Sequence, residues 1–211
     1  MKENPENTIF DKAVEMFMRY GLRSVTMDDL AQALSVSKKT IYNHVQNKQQ
    51  LVERTVEHVF TKLETDIQET LEGNGNAIQK AFDVDNRACR LIENHDPSFK
   101  FQLRKYYPEI EARLEERRSK LVMQRTRENL RQGQKEDLFR SDIDVDILVR
   151  HYYGMIRLMT DQGEDFFEGM HPRRVMQELL LHRLRGMATE KGHREIENIR
   201  RQESQDHEKS S

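Results

Sequence analysis

One cysteine, four prolines, nine glycines and no tryptophan in 211 residues set the first limits on this chain. The single thiol, Cys89, closes no intrachain disulfide, which fits a reducing compartment. No apolar run is long enough to cross a bilayer, and the start MKENPENT is too polar for a signal peptide. A cytoplasmic protein with no membrane partner is the expectation. Sparse glycine and proline, with no segment of strong alternation, exclude a β-rich architecture and point to an all-α fold. Charges of both signs nearly cancel, for a net −2. That balance argues against a protein that coats nucleic acid through overall charge.

Catalytic signatures are lacking too. There is no nucleophile elbow, phosphate loop or dinucleotide glycine fingerprint. Glu190 and His193 have E-x-x-H spacing, but without the second copy that a di-iron bundle needs. Cys89 and His95 lie too far apart to read as a metal pair, and His58, His151 and His182 each stand alone on a helix. We expect no enzyme activity, no metal and no cofactor.

What the chain does have is the stretch Thr26–Val52, TMDDLAQALSVSKKTIYNHVQNKQQLV. It reads as two short helices joined by a tight turn and running into a third, longer one. Thr26 caps the first, with Asp29 three residues on as capping-box partner. Leu30, Ala31 and Leu34 form its apolar stripe. Ser35 marks the turn, Ser37 caps the second helix with Ile41 and Val45 inward, and Asn47 with Gln50 restarts the chain. No acid occurs between Leu30 and Val52, where composition would place about four. Lys38, Lys39, His44 and Lys48 remain, interleaved with Thr40, Tyr42 and Asn43, so the window offers donors to phosphate oxygens and polar tips to base edges. Without the capping pattern and the short turn, a solvated basic hairpin would explain the charge equally well.

These residues resemble the DNA-binding half of the TetR family of bacterial transcription regulators. The matching string is Ile9, Ala13, Phe17, Gly21, Ser24-Val25-Thr26, Asp29-Leu30-Ala31, Val36-Ser37, Thr40-Ile41-Tyr42, Lys48 and Leu51, roughly the first quarter of the chain. Three positions depart from the family pattern: Ser35 for a turn Gly, Val45 for Phe, and Gln49 for an acid. The resemblance implies a dimer that binds a near-palindromic DNA operator, with the helix Lys38–His44 in the major groove. It implies phosphate contacts from Thr26, Tyr42 and Lys48. Lys39, Thr40 and Asn43 are then the better candidates for base edges, Lys38 and His44 serve either role, and Ser37 lies in the same interface.

Upstream, Met1 to Asn7 reads as a flexible arm and Thr8 as the cap of a helix ending at Gly21. Downstream, Val52, Val56, Val59, Phe60, Leu63, Ile67 and Leu71 form one long helical stripe, stopped by the GNGN of residues 73–76. Further helices are expected from Ile78 to Ile92, from Pro108 to about Arg131, from Asp144 to Thr160 and from Pro172 to Ala188. Gln132 to Asp144 reads as a polar connection, and the tail beyond Thr189 as disordered or a fraying helix. This gives a DNA-binding domain over residues 1–46, a helical regulatory and dimerisation domain over 47–189, and a charged tail over 190–211. By the resemblance, the helices around 144–160 and 172–188 would meet their copies in a homodimer. The body would hold a small hydrophobic or amphipathic effector, for which Phe82, Cys89, Phe99, Phe101, Tyr106, Tyr107, Tyr152, Met155 and Met159 are the candidate lining. The alternative is an all-helical interaction or carrier module without ligand-controlled DNA binding.

Overall fold

The computed structural model describes residues 5–93 and 97–210. His95 lies outside them. In chain order the helices are α1 (Pro5–Tyr20), α2 (Met27–Ala33), α3 (Lys38–Tyr42), α4 (Lys48–Glu72), α5 (Ala77–Glu93), α6 (Pro97–Tyr106), α7 (Pro108–Lys135), α8 (Val145–Phe166), α9 (Pro172–Met187) and α10 (Glu190–Ser210). The fold is all-α. By its contacts the chain groups into two compact units, residues 1–66 with 94–118 and residues 67–93 with 119–211. Helices α4 and α7 each contribute residues to both.

In the first unit, three helix starts are closed by their own side chains. Thr26 and Asp29 form the full capping box of α2, the Thr26 hydroxyl oxygen accepting from the Asp29 amide. The Ser37 hydroxyl accepts from the Thr40 amide at 3.1 Å to cap α3. Asn47 Oδ1 accepts from the Gln50 amide at 2.9 Å, while Gln50 Oε1 accepts from the Gln46 amide at 2.5 Å. Each bond satisfies an amide that a helix start leaves without a partner. Between α2 and α3, Ser35 adopts φ 54°. Its amide donates to the Gln32 carbonyl and the Val36 amide to the Ala31 carbonyl, both at 3.0 Å, which is the Schellman pattern with serine in the left-handed position.

Ala13, Phe17, Leu22, Leu30, Ile41 and Val52 form the heart of this unit, none more than 1% exposed. Helix α6 adds Leu103 to the same cluster and α7 adds Ile110. Gln102 of α6 also reaches the α1–α2 loop, its Oε1 accepting from the Leu22 amide at 2.8 Å. Gly21, at φ +83°, permits that approach: a Cβ there would lie 2.9 Å from the Gln102 side chain. The first helix differs from the expected one. It begins at Pro5, in the first turn where proline fits, so Thr8 lies inside the helix and is not its cap.

In the second unit, α5 packs along α9, and α10 packs against both. Ile78, Val149, Leu184 and Ile196 are fully buried there. Two expectations are corrected. The connection after α7 is not wholly polar: Leu138 and Phe139 are buried. They are pinned by Thr189 N donating to the Leu138 carbonyl at 3.0 Å and Arg140 N to the Met187 carbonyl at 2.9 Å. The tail is a packed helix. The Thr189 hydroxyl oxygen caps α10 by accepting from the Gly192 amide at 3.1 Å, and Ile196 and Ile199 are buried. Gly192, Ile196 and Ile199 follow one another at i, i+4 and i+7, a stripe one residue wide in a strongly charged helix. A Cβ at Gly192 would lie 2.1 Å from the Leu138 carbonyl oxygen, so only glycine allows this packing.

Candidate nucleic-acid interface

Helix α3 is only five residues long, and the burial of Ile41 fixes which way it faces. With Ile41 inward, Lys39, Tyr42 and Asn43 (i, i+3, i+4) share an exposed face, Tyr42 being 47% exposed. The other expected contacts have bonds within the head. Lys38 Nζ pairs with Asp28 Oδ2 at 2.6 Å, and the Thr40 hydroxyl lies 2.9 Å from the Ser37 hydroxyl. The Thr26 hydroxyl donates to Asp29 Oδ2 at 2.7 Å. Those bonds to Thr26 hold the Asp29 carboxyl below the usual aspartate range. His44 is half-buried, its carbonyl accepting from Arg54 at 2.7 Å.

Lys48 stands at the start of α4 with its Nζ donating to the Arg23 carbonyl at 2.8 Å. Burial pulls this ammonium below the usual lysine value; Arg23 acts in the same direction, and Asp29 opposes. The arrangement joins the α1–α2 loop to the first turn of α4. It adds Arg23, an exposed cation that the acid-free window did not include because it precedes Thr26.

The candidate lining residues are divided between the two units. Phe99 and Tyr107 pack, partly buried, against the core of the first unit. Phe101 and Tyr106, expected on a pocket wall, face solvent at 63% and 36% exposure. Phe82 and Cys89 are buried in the second unit, and Tyr152, Met155 and Met159 are half-buried along α8. Around two of these a buried polar cluster forms. The Cys89 thiol donates to Asp85 Oδ2 at 3.7 Å and lies 3.6 Å from Met176 Sδ. The Arg183 guanidinium sits 3.6 Å from the Tyr152 ring centroid. Burial pushes the Asp85 carboxyl up to about 6, against the pull of Arg183 and Cys89 and with Glu203 adding to the rise. Burial likewise raises the Tyr152 hydroxyl. Elsewhere in the unit, Gln68, Glu72, Arg125 and Gln132 are among the residues lining a polar cavity of about 170 Å³ that includes none of the expected residues. Among the described residues no helix is long and apolar enough to cross a membrane, and no three His, Cys, Asp or Glu side chains gather as metal ligands would.

A capped helix-turn-helix with exposed polar tips, carried by an otherwise helical chain, defines a DNA-binding regulator. The model of the family described as "Bacterial regulatory proteins, tetR family" matches residues 9–55, from α1 into α4. The HTH-type transcriptional repressor KstR2 of Mycobacterium tuberculosis (strain ATCC 25618 / H37Rv) is 23% identical over 150 residues, covering 67% of this chain and 72% of KstR2. A TetR/AcrR family regulator from Thermobifida fusca has the same fold, with a TM-score of 0.68 at 17% identity over 87% of this chain and 98% of that one. So does FadR from Bacillus subtilis, solved with stearoyl-CoA, with a TM-score of 0.65 at 18% identity over 85% and 97% of the two chains. Residues 9–55 carry the DNA-binding head of the TetR family of transcriptional regulators, and the whole chain shares its fold with solved members of that family. These relatives are regulators, not enzymes.

Proposed function

We propose that two copies of this chain bind a near-palindromic operator as a repressor and release it when a hydrophobic or amphipathic small molecule occupies the helical body. The observation that carries the DNA half is α3, where Lys39, Tyr42 and Asn43 share an exposed face in a head with no acid between Leu30 and Val52. In this reading residues 1–46 carry DNA binding and residues 47–189 carry regulation and dimerisation. Lys39 and Asn43, which share the exposed face of α3 with Tyr42, read base edges. Tyr42 and Lys48 hold phosphates. Half-sites then lie about 34–36 Å apart, one turn of the duplex.

Dimerisation is assigned to α8 and α9. Its support is α8, which leaves Ile147 64% exposed and Tyr153, Met155, Ile156 and Met159 only half-buried. Repression is supported by the description of KstR2, and a lipid-like effector by the stearoyl-CoA bound to FadR. Phe82, Cys89, Tyr152, Met155 and Met159 are the lining residues that share one unit. An effector acts only by preferring one shape of the body, since equal affinity for both shifts nothing.

The test is fluorescence anisotropy on a duplex selected from a random library by the wild-type protein, titrated at several salt concentrations. Tight, salt-steep binding is expected, lost in Tyr42→Ala/Lys48→Ala. Asn43→Ala should lose about 1–3 kcal/mol at one operator position. Lys48→Ala alone should weaken all sequences alike and lower the salt slope by about one. Equal, feeble binding to selected and unrelated duplexes would sink the proposal.

A further inference from the structure

Helix α6 has an outer face that the fold does not use. Its inner face is spoken for: Leu103 is in the first core, Phe99 and Tyr107 pack against it, and Gln102 holds the α1–α2 loop. The outer face carries Phe101, Arg104, Lys105 and Tyr106, all exposed. Lys105 Nζ lies 5.5 Å from the Phe101 ring centroid and 5.4 Å from that of Tyr106. The Arg23 guanidinium covers Tyr106 at 5.1 Å, which carries the patch onto the α1–α2 loop. From Pro97 to Pro108 the sequence contains Lys100, Arg104 and Lys105 and no acid; acids resume at Glu109. Cations interleaved with exposed aromatic rings, in a stretch without carboxylates, suit a polyanion.

Position identifies the polyanion. Arg23 is the shared residue: its guanidinium lies on Tyr106 of α6, and its carbonyl accepts from Lys48, the phosphate-holding lysine of the proposed interface. The basic face of α6 therefore continues the edge of the head that meets the duplex. We infer that the outer face of α6, through Arg104 and Lys105, is a second contact to the DNA backbone, holding phosphates that flank the half-site read by α3. This rests on the DNA-binding reading given above. The contact carries no sequence information; it adds affinity and salt dependence, because each phosphate neutralised releases condensed counterions.

The experiment uses the full chain and the selected duplex in two lengths, the bare site and the site with about ten extra base pairs on each side, one further helical turn. Wild type is compared with Arg104→Gln/Lys105→Gln, whose thermal melt should match it because both side chains are exposed. Wild type should bind the longer duplex more tightly and with a steeper dependence on salt. The variant should bind the short duplex as wild type does, lose the gain from the flanks, and show a log K against log salt slope on the long duplex shallower by about two. A variant that keeps the flank gain, or a wild type that shows none while still binding its site, overturns the inference and leaves the DNA-binding reading standing. Capture by phosphatidylserine vesicles that the variant loses, with unchanged DNA binding, assigns the patch to a lipid surface and also overturns it. A wild type that enriches no duplex at all overturns the DNA-binding reading and this inference together.

Discussion

The helix-turn-helix and the helical body are each held together over a different range of sequence. In the first, the bonds that cap its helices close within three residues: Thr26 with Asp29, Ser37 with Thr40, Asn47 with Gln50. In the second, Asn76 bonds Glu195 and Asn86 bonds Glu203, pairs 119 and 117 residues apart. A reading head gains from the first design, because local caps fix where α2, α3 and α4 begin within a few residues of sequence. A regulated body gains from the second, because contacts between distant helices form and break together when packing changes.

The sharpest way to break this comparison is at Gly192. Alanine there places a methyl 2.1 Å from the Leu138 carbonyl oxygen, a backbone atom that cannot swing aside, and 3.1 Å from the Ala188 Cβ. Helix α10 has to shift, withdrawing Ile196 and Ile199 from the core. A loss of at least about 3 kcal/mol is expected, at the upper end of overpacking costs. Urea denaturation followed by circular dichroism measures it. A neutral Gly192→Ala would mean that α10 is not a load on the body core at all.

Asp85 offers a pH-dependent version of the same test. Its carboxyl titrates near 6 in the fold and near 3.8 when unfolded, and burial is the main cause. Between those values the folded chain holds more protons than the unfolded one, so stability falls as pH rises through the window, and the full cost is present above about 6. The shift corresponds to roughly 3 kcal/mol. Asp85→Asn removes the charge and keeps the shape. Its stability relative to wild type should therefore climb from pH 4 to pH 7 and then level off, read as denaturation midpoints across that range. A flat difference would show that the carboxylate is not held in an apolar place.

How much of this was legible in the sequence follows the same division. The head was read nearly whole because caps, turn and apolar stripe all repeat within a few residues, and Gly21 and Ser35 adopt the left-handed conformations their positions imply. Phe101 and Tyr106 were named as candidate lining on the resemblance and for being aromatic, and residue type does not say which face of α6 turns inward; the packing of Phe99, Leu103 and Tyr107 settles it. The polar cluster left no signal, since Asp85, Tyr152 and Arg183 come from three helices far apart in the chain. The packing of α10, which read as a disordered tail or a fraying helix, was missed for a different reason. Its buried stripe is one residue wide, and Gly192, its key position, reads as a helix breaker until the carbonyl of Leu138 is seen against it.

The smallest expected effect tests the local side of the comparison. Ser35 closes α2 at φ 54°, a conformation that costs a side chain with a Cβ roughly 1–2 kcal/mol and glycine almost nothing. Glycine is also freer in the unfolded chain, which takes back about 0.5–1 kcal/mol. Ser35→Gly should therefore stabilise the head by about 1 kcal/mol or a little less, a rise of a few degrees in a thermal melt. DNA affinity should be unchanged, because the serine hydroxyl makes none of the bonds that orient α3. A stabilised head with altered affinity would mean that the strain at this turn sets the angle of the reading helix, and that the head is less self-contained than its three caps suggest.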